Sequence, residues 1–354
     1  MLMLFNFALA EEEIVRSAGF DALADYAERS GFDAWSALRA LLNGEGVAPS
    51  EIAGQWLDAL KGQAQGVFAE LLRGVLPPVL LCVVLRLLLG RERASRGMAE
   101  LLCTLCCSVT LVERTVTARA TVAAFLETVN RASDALTPVL VSAAALTGAT
   151  ATASIMTPLA AECANVINLM LRDAGLKLCM AACAVAVAGS LSPRFPLRRL
   201  FGLMKSAVRW LLAGSMFAFG ALMSARGLIG AARDTAAIQA ARLAIENLVP
   251  VIGGEVSGSA GSLAASASVA RRALGVTGVA FIIHICAEPM LKLAAGMVSM
   301  KLIAAVLEPL AGDAAAVALV GRFGEVMELL LALCACAAVM TALLAGGCAV
   351  LMGA

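Results

Sequence analysis

His284 and Glu288 stand four residues apart in a stretch that is otherwise almost wholly apolar, LGVTGVAFIIHICAEPMLKLAAGMVSMKLIAAVLEPLA over residues 274–311. On a helix that spacing places both side chains on one face. An imidazole beside a carboxylate could relay a proton, or the two could form a structural polar pair, which is the preferred reading. Lys292, Lys301 and Glu308 share the stretch. An ionisable group in bilayer hydrocarbon costs about 2.5–3.5 kcal/mol on insertion scales, so such groups turn towards protein or water. His284, Glu288, Lys301 and Glu308 are therefore expected to be buried polar positions inside a protein that crosses a membrane several times. Lys292 and Lys301 could also snorkel to the interface. Glu288-Pro289 and Glu308-Pro309 recur twenty residues apart. Proline removes a donor and disfavours helical geometry in the residue before it, so both are expected kinks or helix ends.

Other chemistry finds little support. Cys103, Cys106 and Cys107 cluster in LLCTLCC, and Cys179 and Cys183 share a helix face, but a single histidine argues against a Cys/His zinc site. Nearly all eleven cysteines lie in apolar runs, where a thiol behaves as a small hydrophobe and no disulfide is implied. Neither a GxxxxGK[ST] loop nor a G-x-S-x-G elbow occurs. The expectation is a protein that is not an enzyme, with no cofactor and no metal; any pumping would draw on a gradient or a partner.

The elements that must position these residues are membrane helices. Apolar residues make up 61% of the chain and charged residues 15%, which departs from soluble composition, and a net charge of +1 argues against a nucleic-acid partner. Residues 1–10, MLMLFNFALA, end in a small-x-small pattern and read as a possible signal-peptide remnant. Residues 11–70 carry more acids than bases and read as a small helical extramembrane region, broken near Asn43-Gly44. Residues 71–354 form the multi-span membrane domain. Its spans are expected near 74–90, 98–112, 176–191, 208–224, 274–291, 293–310 and 326–352, about seven in all.

Arg91, Arg93 and Arg96 fill one short loop, and Arg194, Arg198, Arg199, Lys205 and Arg209 fill another. Both should be cytoplasmic, so an even number of crossings separates them. The spans at 98–112 and 176–191 supply that number, and residues 136–171 must return to the side they entered from. They are expected to be re-entrant or a tight helical hairpin, broken around Pro138, Gly148 and Pro158. A shift of 112 residues lays Leu136-Thr-Pro138-Val-Leu140 on Leu248-Val-Pro250-Val-Ile252, each followed by a run of small residues. Mixed segments at 113–134 and 226–247 precede both motifs and are expected to be amphipathic helices at the interface. The halves of this weak internal repeat run from about 98–192 and 208–310. Pro250, Gly253 and Gly254 then mark a second broken helix, since repeats of this kind build sites at their interface. Ordinary packing through small residues is the alternative.

The stretch 243–313, from LAIENLVPVIGG through RRALGVTG to LKLAAGMVSMKLIAAVLEPLAGD, resembles the signature region of the stage III sporulation protein AE family of endospore-forming bacteria. The likeness extends from the first span to the C-terminal GGCAVLMGA. It implies a multi-pass protein of the mother-cell membrane, facing the forespore during engulfment. It also implies a place in the channel-like apparatus joining the two cells, required for forespore development, supporting small-molecule passage or anchoring ring proteins. The implied partners are other membrane proteins of the stage III A operon, a cytoplasmic traffic-type ATPase, ring proteins between the membranes and a forespore protein, besides the lipid bilayer. Two competing readings stand beside it: an autonomous secondary transporter of a small solute, and a non-conducting membrane scaffold.

Overall fold

The computed structural model describes residues 20–29, 31–42, 80, 83–84, 96–146, 150–191, 197–248, 253–311 and 315–350. Among them every regular element is helical: α1 (Phe20–Arg29), α2 (Ala34–Leu42), α3 (Arg96–Leu146), α4 (Thr150–Met170), a π-helical turn (Leu171–Gly175), α5 (Leu176–Leu191), α6 (Arg198–Leu248), α7 (Gly253–Ala311) and α8 (Ala315–Val350).

α1 and α2 form a short hairpin closed by local chemistry. Gly31 takes the left-handed conformation (φ +79°), which a residue without a Cβ adopts at no steric cost. Its N–H donates to the Glu28 carbonyl and the Phe32 N–H to the Ala27 carbonyl, both at 2.9 Å, which satisfies the open end of α1. Asp33 then caps α2, its Oδ1 accepting from the Ser36 N–H at 2.9 Å. The rings of Phe20 and Trp35 meet edge to face at 4.9 Å across the hairpin.

Among the described residues five stretches are long and apolar enough to cross a membrane: Leu101–Val139, Pro158–Leu191, Arg198–Ser224, Val276–Glu308 and Ala315–Gly346. α8 is the hub, packed on α3, α4, α5, α6 and α7. Leu319, Phe323, Val326, Leu330, Leu333, Met340 and Leu344 are buried along its length. Two glycines let neighbours close on it. A Cβ on Gly175 would stand 2.9 Å from Leu333 Cδ2, and one on Gly296 would stand 2.5 Å from Met327 Cε.

This arrangement differs from the sequence expectation in particular places. Residues 136–171 are divided between the end of α3 and α4, which pack antiparallel as two long helices and not as a re-entrant loop or a hairpin of two short helices. The mixed segment 113–134 is not a separate interfacial helix; it continues α3. Ala118, Val122, Phe125, Leu126, Val129, Ala132 and Leu136 are all buried there at spacings of three and four, so packing carries the helix past its charges. The expected spans 274–291 and 293–310 are one helix, α7, which runs through Pro289. Phe281, Ile282 and Cys286 before the proline, and Leu293, Met300, Ile303 and Leu307 after it, are buried along one continuous contact. That burial outweighs a proline penalty of about 3 kcal/mol. The span expected at 74–90 lies outside the described residues, apart from positions 80, 83 and 84, as do the possible leader and the break at Asn43-Gly44.

α3 and α6 are each 51 residues long, about 75 Å at 1.5 Å per residue, against a hydrocarbon thickness of about 30 Å. They begin at Arg96 and Arg198, so the helices are offset by 102 residues and not by the 112 that aligns the proline motifs. Pro138 sits inside α3 whereas Leu248 is the last residue of α6.

Leucine at Gly175 is expected to overpack the contact with Leu333 at a cost of about 1–3 kcal/mol. Leucine at Gly202, where nothing stands within 4 Å of an added Cβ, is the matched control. Thermal unfolding of the detergent-solubilised protein should show a lowered midpoint for the first variant alone.

Candidate functional site

α3 and α4 run antiparallel, and the seam between them is polar. Asn168 Nδ2 donates to Asn130 Oδ1 at 2.8 Å, and about one turn along, Asn165 Nδ2 donates to Asp134 Oδ1 at 2.9 Å. Ser133 and Asn168 are fully buried. Ser133 Oγ, Asn165 Oδ1 and Asn168 Oδ1 are buried atoms with no hydrogen-bond partner among the described residues. Each such atom costs about 1–3 kcal/mol unless water reaches it, so a seam holding three of them suits penetrating water.

Closer to the hairpin end the seam opens into a cleft of about 480 Å3, lined by Asp134, Thr137, Pro138, Val141, Pro158, Ala161 and Glu162. Proline has no N–H, so Pro138 withdraws the usual helical donor from the Asp134 carbonyl. With Asp134 and Glu162 exposed at its rim the cleft carries negative charge, suited to attracting a cation or an amine.

A second feature joins the N-terminal hairpin to the membrane helices. α1 lies on α3, and α2 on α7. Phe281 of α7 is buried under two rings, Tyr26 edge-on at 6.0 Å and Phe32 at 5.8 Å. The Tyr26 hydroxyl donates to the Thr128 carbonyl at 3.3 Å. Burial pushes the Tyr26 phenol above its ordinary value of 10.0, while the positive charge of Arg131 pulls the other way.

The residues singled out in the sequence divide between these features and the outer surface. Pro138 and Pro158 lie inside continuous helices, on opposite walls of the cleft. Gly148 and Pro250 lie outside the described residues. Gly253 and Gly254 are the first two residues of α7. His284 is half-buried, its ring 5.5 Å from Phe32. The expected buried interior does not form around the other three. Glu288 is exposed and pairs along its own helix with Lys292 at 2.6 Å; Lys301 and Glu308 are exposed on α7. The α7 face that meets α8 is filled by apolar side chains, which leaves the charges no place inward. Cys103 is disulfide-bonded, against the expectation of free thiols, whereas Cys106 and Cys107 beside it form no disulfide.

Two groups escaped the sequence reading. The seam residues Asn130, Asp134, Asn165 and Asn168 announce themselves only as polar positions three and four apart on two apolar helices, a signal absorbed into the interfacial reading of 113–134. Lys205, counted as a loop charge, instead pairs with Glu325 at 2.8 Å and ties α6 to α8. Their side chains are 25% and 43% exposed, so the pair is partly shielded from solvent.

Among the described residues every element is helical, four long apolar spans pack around a fifth, and a polar seam runs between two of them, which is the architecture of a multi-pass membrane protein. Comparison with known families then places it. The family model for stage III sporulation protein AE matches residues 36–351, and the chain belongs to that family. It is also similar to the stage III sporulation protein AE of Bacillus subtilis (strain 168), with 24% identity over 178 residues. That alignment covers 50% of this chain and 45% of the relative, so the match spans about half of each. No solved structure matches.

Tyr26 is the chain's single tyrosine, so phenolate absorbance reports it alone. Titration of the folded protein should give a midpoint above that of the unfolded chain, and Arg131→Gln should raise it further. Because the folded value is raised, the contribution of Tyr26 to docking is fully present below about pH 10 and fades as pH climbs through the folded value. Tyr26→Phe should remove that alkaline dependence.

Proposed function

We propose that this protein is a membrane component of the channel apparatus linking mother cell and forespore, required for forespore development, and that its main work is to seat other proteins. Membership of the sporulation family supports the setting. The observation that carries the finer reading is the filled core. α8 is surrounded by packed side chains, and α3 and α4 meet as a closed hairpin whose described cleft lies at one end of their seam. Charged and docking surfaces face outward instead, with α1 and α2 held across α3 and α7. On this reading the protein sits in the mother-cell membrane facing the forespore. It anchors ring proteins between the membranes and takes its energy from a cytoplasmic traffic-type ATPase among the stage III A partners.

The docked hairpin offers the test. Phe32→Ala with Phe281→Ala removes two rings of the central contact, and should lower heat-resistant spore yield by about tenfold or more. The protein should still accumulate in the membrane while ring proteins no longer co-purify with it. Wild-type spore yield with the hairpin released would overturn the anchoring role. Solute flux through liposomes holding the purified protein alone would favour an autonomous transporter.

A further inference from the structure

Asp134 of α3 and Glu162 of α4 face one cleft, and no lysine or arginine is among its described lining residues. Arg131, one turn before Asp134, pairs along α3 with Glu127 at 2.6 Å. Two acids alone make an ordinary solvated face. The seam behind them adds oxygens that have nothing to accept. Asn168, fully buried, reaches across the seam to Asn130, and the equally buried Ser133 stands beside Asp134 in the chain. Ser133 Oγ, Asn168 Oδ1 and Asn165 Oδ1 are without a hydrogen-bond partner among the described residues.

Asn165 shows where the missing partner belongs. Its Nδ2 donates to Asp134 Oδ1 at 2.9 Å, and a carboxylate only accepts, so the amide cannot be turned round. The bond lengths of the amide then hold Asn165 Oδ1 within about 5 Å of the same carboxylate oxygen. Pro138 supplies a third acceptor, because it leaves the Asp134 carbonyl without its helical N–H. All three are oxygens that accept and cannot donate. Water answers their lone pairs but not the charge of the carboxylates; a cation answers both.

We propose that the α3–α4 seam binds a hard metal cation at the level of Asp134. The Asp134 carboxylate and carbonyl and Asn165 Oδ1 are its protein ligands, and Glu162 on the facing wall adds negative charge. A cation that keeps its oxygens at about 2.3–2.6 Å bridges a gap of the width between Asp134 and Asn165. Ser133 and Asn168 continue the line of oxygens inward with neutral acceptors. The ion ties α3 to α4 beside Pro138, whether or not the outer surfaces seat partner proteins.

Full-length protein in nanodiscs of a zwitterionic lipid provides the test. Its thermal midpoint is followed as choline chloride is replaced, at constant ionic strength, by sodium, potassium, magnesium or calcium chloride. At least one of these cations should raise the midpoint saturably, and the titration gives an apparent affinity. Asp134→Asn should weaken that affinity by at least about tenfold, the usual scale for a lost contact at a metal site. Pro138→Ala gives the Asp134 carbonyl a backbone donor again. It should weaken cation affinity while the midpoint in choline falls no lower, a split that a merely structural seam does not produce. Asp173→Asn, which alters an exposed carboxylate of the π-helical turn, should respond as wild type. Should Asp134→Asn fail to fold, Glu162→Gln takes its place, with a smaller loss expected. Equal midpoints in every salt would overturn the inference and leave the seam to water. So would a cation response that both Asp134→Asn and Pro138→Ala retain.

Discussion

Gly278 and Gly296 bring α7 against α8, and the two helices hold one antiparallel register over most of their shared length. That contact is the constraint from which the other positions follow. It commits one face of α7 to apolar side chains and turns the charged residues of the same helix outward. It also keeps α7 helical through Pro289, since a break there would misplace the buried residues on one side or the other. α3, α4, α5 and α6 then find their depths against the remaining faces of α8. In a bilayer, where lipid is as apolar as leucine, such close approach of small residues and the fit it allows are what hold helices together.

Polar contacts play a different part. Asn130 with Asn168, Asp134 with Asn165, and Lys205 with Glu325 each join two helices that already touch through apolar residues. Their individual worth is modest, about 0.6 kcal/mol on average in membranes. Their directionality fixes which rotation of each helix is compatible with its neighbour. Of the buried side-chain oxygens without a hydrogen-bond partner among the described residues, three lie along the α3–α4 seam and one, Thr277 Oγ1, lies on α7.

Much of the architecture was legible in the sequence. The length and hydropathy of the apolar stretches gave an all-helical, multi-span protein. Three physical facts hid the rest. Proline usually ends a helix, yet Pro138 lies on an exposed side of α3, where only one carbonyl loses its partner. Charged residues between 113 and 134 looked interfacial because their spacing reveals the solvent side of a helix and not its length. Burial cost shows that Glu288, Lys301 and Glu308 avoid lipid, but it is silent on whether their cover comes from the same chain.

The length of α3 and α6 has a mechanical consequence. Each exceeds the hydrocarbon thickness by more than twofold, so a large part of each rod must project beyond the bilayer. A rod held firmly at its base acts as a lever: a few degrees of rocking among the lipid-embedded portions becomes a displacement of several ångströms at the far tips. Motion driven from one side of the membrane would thus arrive enlarged on the other, without any helix having to bend.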